Sequence, residues 1–370
     1  MKVGIAGAGS VAFGTAALLE DRGHRTCLWS PSGRSTEGLG TITAKGAVEG
    51  RFAPEIARDA AGLCQADALL LALPNYGHKA VIDALAPNLR PDQPVLISSH
   101  GAFGALYLAA RLADLGMRGR IVAMGTTVVT GRRSGEGVQV NTVRNRVDMC
   151  TLPAEDAAAG LDLCTELFGE RFVLRDGLVA ITLSNLNPQN HMGIALANMS
   201  RMERSESWSQ GQNVTPNVGR LLEALDAERL ALCARVGADT RTIFEHFHLS
   251  FHVPIGPISE MNQEMFRKGT GGTGPATADS RYVTEDVPFG LVTTARLARL
   301  AGTEAPLHEA GIRIFSAMYG RDFAAENDLL DALELETMDL ATLREVCRTG
   351  PPAGFLARNR RPALGTTTGT

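Results

Sequence analysis

Small residues near the start of the chain have the spacing of a nucleotide-phosphate site. Gly7, Gly9 and Ala12 form a G-x-G-x-x-A turn between a short apolar strand and an alanine-rich helix. Gly7 permits the tight turn, Gly9 lets the backbone approach a pyrophosphate, and Ala12 lets the helix pack closely on the strand. The helix N-terminus offers free N–H groups to the phosphates at Ser10 and Val11. This context predicts a dinucleotide site rather than an ordinary glycine-rich turn.

The end of the second predicted strand indicates which dinucleotide binds. NAD-binding folds usually place an Asp or Glu there to hold the ribose 2′-OH. This chain has Ser30, followed by Ser32 and Arg34. Hydroxyls and a guanidinium suit a 2′-phosphate, so we predict NADP. NAD is the alternative if Arg34 is only a solvated loop charge. Leu73 and Pro74, at the end of a buried strand, are expected to border the cofactor.

A histidine is the best candidate to handle the proton that accompanies hydride transfer. Several reductases with this domain order use a lysine early in their helical domain, but residues 177–266 contain none. His191 lies in this region, and imidazole exchanges protons near neutral pH. Its orienting carboxylate is predicted to be Asp286, with Glu285 as the alternative. The simpler interpretation of His191 is a hydrogen-bonded core histidine.

Four further residues are assigned to substrate. Arg281 can hold a carboxylate with its planar, two-pronged guanidinium. The alternative is a structural ion pair with one of the acidic residues that follow it. Tyr282 is assigned to the same site. Asn187 and Asn190 would either hydrogen-bond the substrate or cap the helix that carries the histidine.

The elements that position these residues change character near residue 176. Before it, strands and helices alternate, which predicts a doubly wound Rossmann domain with a β extension. The predicted strands are 3–6, 24–29, 68–73, 95–97, 121–124, 126–129, 138–141 and 147–152. Beyond residue 177, long amphipathic stretches predict an all-α domain, with an irregular segment over 253–288. We predict domains at 1–176 and 177–350 and a disordered tail over 351–370.

Composition excludes several classes of partner. The 370 residues are 44% hydrophobic with a net charge of −4, which gives no reason to expect nucleic acid or a membrane surface. No apolar run reaches the roughly 18–20 residues of a membrane span. Six scattered cysteines indicate reduced thiols in the cytoplasm. His246, His248 and His252 lack the further ligands of a metal site, so no metal is predicted. An apolar helix face would support a homodimer.

Four motifs of the second half resemble those of the opine dehydrogenases, the octopine/nopaline dehydrogenase family. They are N-x-N-x-x-x-H at 185–191, T-P-N-V-G at 215–219, D-A-E-R at 226–229 and R-Y-x-x-E-D at 281–286. Those enzymes use NAD(P)H to condense the amine of an amino acid reductively with a 2-oxo acid. The resemblance implies that His191 is the proton donor, Asp286 its partner and Arg281 a carboxylate anchor. The alternatives are a reductase of preformed imines or 2-oxo acids, and a non-enzymatic NADP sensor.

Overall fold

The computed structural model describes residues 1–358, which form an α/β domain followed by a helical domain. Within these residues the strands belong to one eight-stranded sheet and one four-stranded sheet. The strands are β1 (Lys2–Ala6), β2 (Arg25–Trp29), β3 (Ile42–Gly46), β4 (Gly50–Phe52), β5 (Glu55–Ile56), β6 (Ala68–Leu71), β7 (Val95–Ile97), β8 (Ile121–Met124), β9 (Val129–Ser134), β10 (Gly137–Val143), β11 (Val147–Leu152) and β12 (Phe172–Leu174).

The large sheet has the order β12-β11-β8-β7-β6-β1-β2-β5 and is parallel except where β11 meets β8. Its central strands are apolar and buried on both faces because helices cover both sides. The order reverses between β1 and β6, and the carboxyl ends of these strands meet at the glycine-rich turn. This is the position where doubly wound sheets bind their ligands. The predicted Rossmann domain is confirmed.

The five helices described in this domain are α1 (Ser10–Asp21), α2 (Ala60–Leu63), α3 (His78–Leu85), α4 (Gly104–Asp114) and α5 (Ala157–Phe168). The small sheet, β4-β3-β10-β9, packs against α1 on the side away from the large sheet. Gly14 permits the close approach, since a Cβ there would lie 3.2 Å from the Val129 side chain. The predicted β extension is thus larger than expected, because β3 and β4 join the predicted hairpin.

Helices form the second domain, as predicted. The described helices are α6 (Gly177–Ser184), α7 (Asn187–Glu203), α8 (Pro216–Val236), α9 (Ile243–Phe251), α10 (Ile258–Arg267), α11 (Arg281–Thr284), α12 (Val292–Leu300), α13 (Pro306–Tyr319), α14 (Asp328–Ala332), α15 (Leu340–Thr349) and α16 (Phe355–Arg358). A π-helical turn, Val287–Leu291, leads into α12. None of the helices in the described part is both long and apolar enough to cross a membrane.

Two stretches differ from the sequence-based expectation. The segment 253–288 is not irregular throughout, because α10 packs its apolar face against α8. Within the predicted tail, Phe355 is buried and α16 contacts α4, so ordered structure extends into that stretch. The rest of the predicted tail, residues 359–370, lies outside the described residues.

Candidate active site

The glycine-rich turn has the geometry that a pyrophosphate needs. Gly7 has φ +132°, and a Cβ there would collide with the carbonyl of Ala72 at the end of β6. Only glycine fits this conformation and this contact. Gly9 is different: it precedes α1 with φ −88°, and a Cβ there would meet no atom of the described residues within 4 Å. The space above Gly9 and the N-terminus of α1 is therefore open for a phosphate group.

A cavity of about 450 Å³ runs from this turn toward the helical domain. Its α/β-domain wall includes the predicted cofactor residues of the glycine turn and of the segment after β6. These are Gly9, Ser10, Val11, Leu73 and Pro74. Its far end is lined by Thr126, Arg144, Asn187 and Arg281. The cavity thus joins the predicted dinucleotide site to two of the predicted substrate residues. Ala12 does not line it, because Ala12 is fully buried between α1 and the sheet.

Ser30, Ser32 and Arg34 lie on the loop after β2, outside the lining of this cavity. Ser30 lies beside the glycine turn. The residue before it, Trp29, accepts a hydrogen bond at its carbonyl from the Gly7 N–H at 2.8 Å. The hydroxyls of Ser30 and Ser32 are 3.4 Å apart, and Arg34 is exposed.

Sequence reasoning missed a second arginine near the glycine turn. Arg133, on β9, reaches back to the glycine turn and donates to the carbonyl of Ala8. Its guanidinium lies over the Phe13 ring, 4.1 Å from the ring centre, and also donates to the Ser35 carbonyl at 3.2 Å. Arg133 therefore holds a fixed positive charge between the glycine turn and the loop after β2. Its position in the second sheet gave no signal in the sequence.

The predicted histidine–carboxylate pair is formed. His191 Nδ1 lies 2.6 Å from Asp286 Oδ2, and their side chains are 16% and 10% exposed. A hydrogen bond from Nδ1 to the carboxylate leaves Nε2 as the nitrogen available for proton exchange. Within residues 1–358 Nε2 makes no hydrogen bond. The interpretation of His191 as a hydrogen-bonded core residue therefore does not fit its partial exposure.

Local packing brings this pair together. His191 is one turn after Asn187 on α7, so both lie on the same helix face. The π-helical turn after Asp286 packs against the start of α7. A Cβ at Gly290 would collide with the Pro188 ring, so glycine lets the two segments approach closely enough for Asp286 to reach His191.

Tyr282, which the sequence assigns to substrate, contacts the predicted catalytic histidine. Its ring stacks on His191 with centroids 3.5 Å apart and an interplanar angle of 9°. Its hydroxyl donates to Gln210 Oε1 at 2.5 Å. Burial, together with the nearby Asp286 carboxylate, raises the pKa of Tyr282 to about 12, so the phenol keeps its proton. Tyr282 thus fixes the plane of the imidazole from one face.

Glu285, the alternative partner of the histidine, is engaged elsewhere. Its Oε1 accepts hydrogen bonds from the backbone N–H and side-chain Nδ2 of Asn75, at 3.0 and 3.1 Å. Its Oε2 accepts from Arg281 Nε at 2.6 Å. Because Asn75 follows Pro74, Glu285 ties the cofactor-side loop to the helical domain. Arg281 forms the ion pair, yet its side chain is 60% exposed and lines the cavity. Its Nη atoms have no hydrogen-bond partner in the described chain.

The two candidate asparagines do not share one role. Asn187 is exposed and lines the cavity, while Asn190 is buried with an unpaired Oδ1 among residues 1–358. Neither side chain caps α7. The first N–H of the helix, that of Asn187, donates to Asn185 Oδ1 at 3.1 Å.

The D-A-E-R motif is structural. Arg229 is fully buried and donates through Nε and Nη2 to Asp226 Oδ1, and through Nη1 to the Leu183 carbonyl at 2.8 Å. Glu228 accepts a hydrogen bond at 2.7 Å from His308 Nδ1 and another from the Leu307 N–H. These contacts hold α8, α13 and the segment before α7 together and so support the helix that carries His191.

The remaining histidines hold no cluster that could bind a metal. Among the described residues, no group of three His, Cys, Asp or Glu side chains has that arrangement. His248 Nδ1 is 2.8 Å from the Val253 carbonyl oxygen, and His252 follows α9 in a left-handed conformation. His78 and His100 are buried next to the cofactor-side loops. Burial lowers the pKa of His78 to about 4 and, with His78 nearby, that of His100 to about 3.

Comparison with known proteins agrees with this architecture. The family model described as the alpha-helical domain of NAD/NADP octopine/nopaline dehydrogenase matches residues 174–319. The model for ketopantoate reductase PanE/ApbA matches residues 3–151. The opine dehydrogenase of Arthrobacter sp. (strain 1C) is 26% identical over 353 residues, which cover 92% of this chain and 97% of that protein.

Solved structures show the same fold. Octopine dehydrogenase in complex with NADH and agmatine has a TM-score of 0.75 at 16% identity, covering 99% of this chain and all of that one. Yersinopine dehydrogenase with NADP⁺ bound has a TM-score of 0.68 at 15% identity, covering 94% and 97%.

Fold and comparisons together define an NAD(P)-dependent oxidoreductase with a helical second domain. The chain is similar to opine dehydrogenases over about nine-tenths of its length, in agreement with the resemblance of the four motifs. Its use of a nicotinamide cofactor follows from this similarity and fits the open, glycine-lined cavity.

Proposed function

We propose that this protein reduces the imine formed between an amine, such as an amino acid, and a 2-oxo acid, with His191 as the general acid and base. The observation that carries the proposal is the His191–Asp286 pair. Asn187, one helical turn before His191, and Glu285, next to Asp286, line the cavity that includes the dinucleotide turn. Dinucleotide binding alone, as in a sensor, would need neither residue. Arg281 supports the proposal, since its guanidinium lines the same cavity and suits a carboxylate.

The chemistry needs one proton and one hydride for each product formed. The amine adds to the carbonyl carbon, and water then leaves to give a C=N bond. His191, protonated at Nε2, would give its proton to the departing hydroxyl. Asp286 stabilises the imidazolium before this step and holds the ring in place. When bound, a reduced nicotinamide would supply the hydride for the reduction of the C=N bond. The partly exposed His191 then regains a proton from water.

The residues of the cavity fit the dinucleotide. The backbone of Gly9, Ser10 and Val11 would hold the pyrophosphate at the start of α1. We propose NADP as the preferred form. Ser30 and Ser32 offer hydroxyls at the end of β2, and Arg133 and Arg34 supply positive charge on that side. KM values for NADPH and NADH test this preference, and a clear preference for NADH would refute it.

We also propose a cytoplasmic location. All six cysteines are free and buried in the structure. Burial raises the pKa of Cys64 to about 11, so the thiol stays protonated. Free thiols suit a reducing compartment.

Absorbance at 340 nm tests the proposed reaction directly. The protein is incubated with NADPH, pyruvate or glyoxylate, and a panel of amines and amino acids. We expect NADPH oxidation that requires both the oxo acid and the amine. Oxidation with the oxo acid alone would instead identify a simple 2-oxo acid reductase. No oxidation with any pair would contradict the proposed activity.

A further inference from the structure

A second cluster of arginines adjoins the far end of the cavity. It surrounds a small space of about 60 Å³, here called the arginine pocket, between the loop before β11 and the start of α9. Its polar lining includes Arg144, Arg146, Asp148, Arg241 and His246. Thr126, Arg144 and Asn187 line both this pocket and the main cavity. The two spaces therefore meet at Asn187, one helical turn before His191 on α7.

Positive charge exceeds negative charge in the arginine pocket. Asp148 is the one carboxylate among its described lining residues, and it is already shared. Its Oδ1 lies 2.9 Å from Arg241 Nη2 and 3.3 Å from Arg175 Nε. Arg144 has no acidic partner and no side-chain hydrogen bond within residues 1–358, and its Nε is buried. A buried guanidinium nitrogen without a partner is unfavourable, and a bound carboxylate would satisfy it.

The pKa of His246 is consistent with the same positive potential in the arginine pocket. Burial lowers its pKa to about 4, with further lowering by Arg144 and Arg241. At neutral pH His246 is therefore an uncharged neighbour that adds no positive charge to the pocket. A cationic side chain placed here would meet Arg144, Arg146 and Arg241, whereas an anion would meet no free carboxylate.

We infer that Arg144 binds the carboxylate of the amine reactant, while Arg281 binds that of the oxo acid. The inference rests on the proposed function, because an amino acid and a 2-oxo acid that are joined by a new C–N bond each carry a carboxylate. Both arginines line the same cavity. The amine reactant is then an α-amino acid with a neutral or acidic side chain. The surrounding arginines disfavour amino acids with cationic side chains.

Steady-state kinetics with NADPH and pyruvate test the selectivity. Wild-type kcat/KM should be at least about 10-fold higher for norvaline than for butylamine, which lacks the carboxylate, because a charge-assisted hydrogen bond to the carboxylate is lost. Norvaline and glutamate should both exceed arginine. Equal kcat/KM for norvaline and butylamine, or a preference for arginine, would overturn the inference while leaving the proposed reaction intact.

Substitutions of Arg144 test whether this residue binds the carboxylate of the amine reactant. Arg144→Gln should raise the KM for norvaline about 10-fold or more and leave the KM for pyruvate within about 2-fold. Arg144→Lys keeps the charge and should recover part of the loss. Arg313→Gln is the matched control, since the Arg313 side chain is 83% exposed and lies on α13. An unchanged KM for norvaline in Arg144→Gln, or equal changes in both KM values, would overturn the assignment.

Binding measurements separate this inference from the proposed reaction. Norvaline is titrated by calorimetry into protein saturated with NADP⁺, for the wild type and for Arg144→Gln. Weaker binding to the variant supports the carboxylate site even if no amine is turned over. Equal binding refutes it. Absence of turnover with every pair would refute the proposed reaction alone.

Discussion

His191 Nδ1 and Asp286 Oδ2 are 2.6 Å apart, although the two residues are separated by 95 positions in the chain. The Asp286 carboxylate accepts a hydrogen bond from Nδ1 and therefore determines which imidazole nitrogen carries the proton in the neutral ring. Asp286→Asn removes the negative charge and allows the opposite tautomer. We expect kcat to fall about 10²–10⁴-fold with unchanged affinity for NADPH. Kinetics and a fluorescence titration of NADPH measure both quantities. A kcat within about 2-fold of wild type would show that Asp286 has no such role.

Tyr282 is expected to support catalysis by stacking its ring on the His191 imidazole. Tyr282→Phe keeps the stack on His191 and loses only the hydrogen bond to Gln210, so kcat should fall less than about 3-fold. Tyr282→Ala removes the stack and should lower kcat about 10-fold or more. If the phenol itself contacts substrate, the Phe variant will instead show a raised KM. The comparison of kcat and KM between the two variants decides between these roles.

Gly7 and Gly9 should respond differently to the same substitution. Gly7→Ala forces a side chain into a left-handed conformation and against Ala72, and should cost at least about 3 kcal/mol of unfolding free energy. Gly9→Ala costs about 1 kcal/mol as a helix cap. It should nevertheless weaken NADPH binding about 10-fold or more, because the methyl group enters the open space. Urea unfolding and nucleotide titration give the two values. Unchanged NADPH affinity in Gly9→Ala would place the pyrophosphate elsewhere.

Two buried histidines should make the fold sensitive to acid. In the unfolded chain each has a pKa of about 6.5, whereas burial lowers the pKa of His78 to about 4 and of His100 to about 3. Below pH 6.5 the unfolded state binds more protons, so stability is complete above that pH and declines as pH falls toward 4. Each residue should contribute a loss of about 2 kcal/mol between pH 7.5 and 5.

Urea unfolding of the wild type and of His100→Asn measures this effect. The variant should lose about 2 kcal/mol less over the same pH range. An identical pH dependence would show that His100 does not titrate on unfolding.

The parts of the site that follow from local chain geometry could be predicted. The glycine turn needs only the strand before it and the helix after it, so its residues could be placed directly. His191 and Asp286 could be paired because both belong to motifs shared with a family, as their spacing alone does not place them together.

The parts that depend on distant packing could not be predicted. Arg133 reaches the glycine turn from the second sheet, and β3 and β4 of that sheet were not expected. Glu285 and Asp286 are adjacent in the chain and chemically alike, and only the packing of Asn75 separates their roles. The arginine pocket draws on both domains, so no segment of the sequence contains its pattern.

The account depends most on proton transfer by His191. The decisive measurement is the initial rate of NADPH oxidation with both reactants present, for the wild type and His191→Ala, together with the dissociation constant for NADPH. We predict a rate at least about 10²-fold lower in the variant, with NADPH bound as tightly as in the wild type. A variant that turns over at a rate close to wild type would contradict the assignment of His191 as the proton donor.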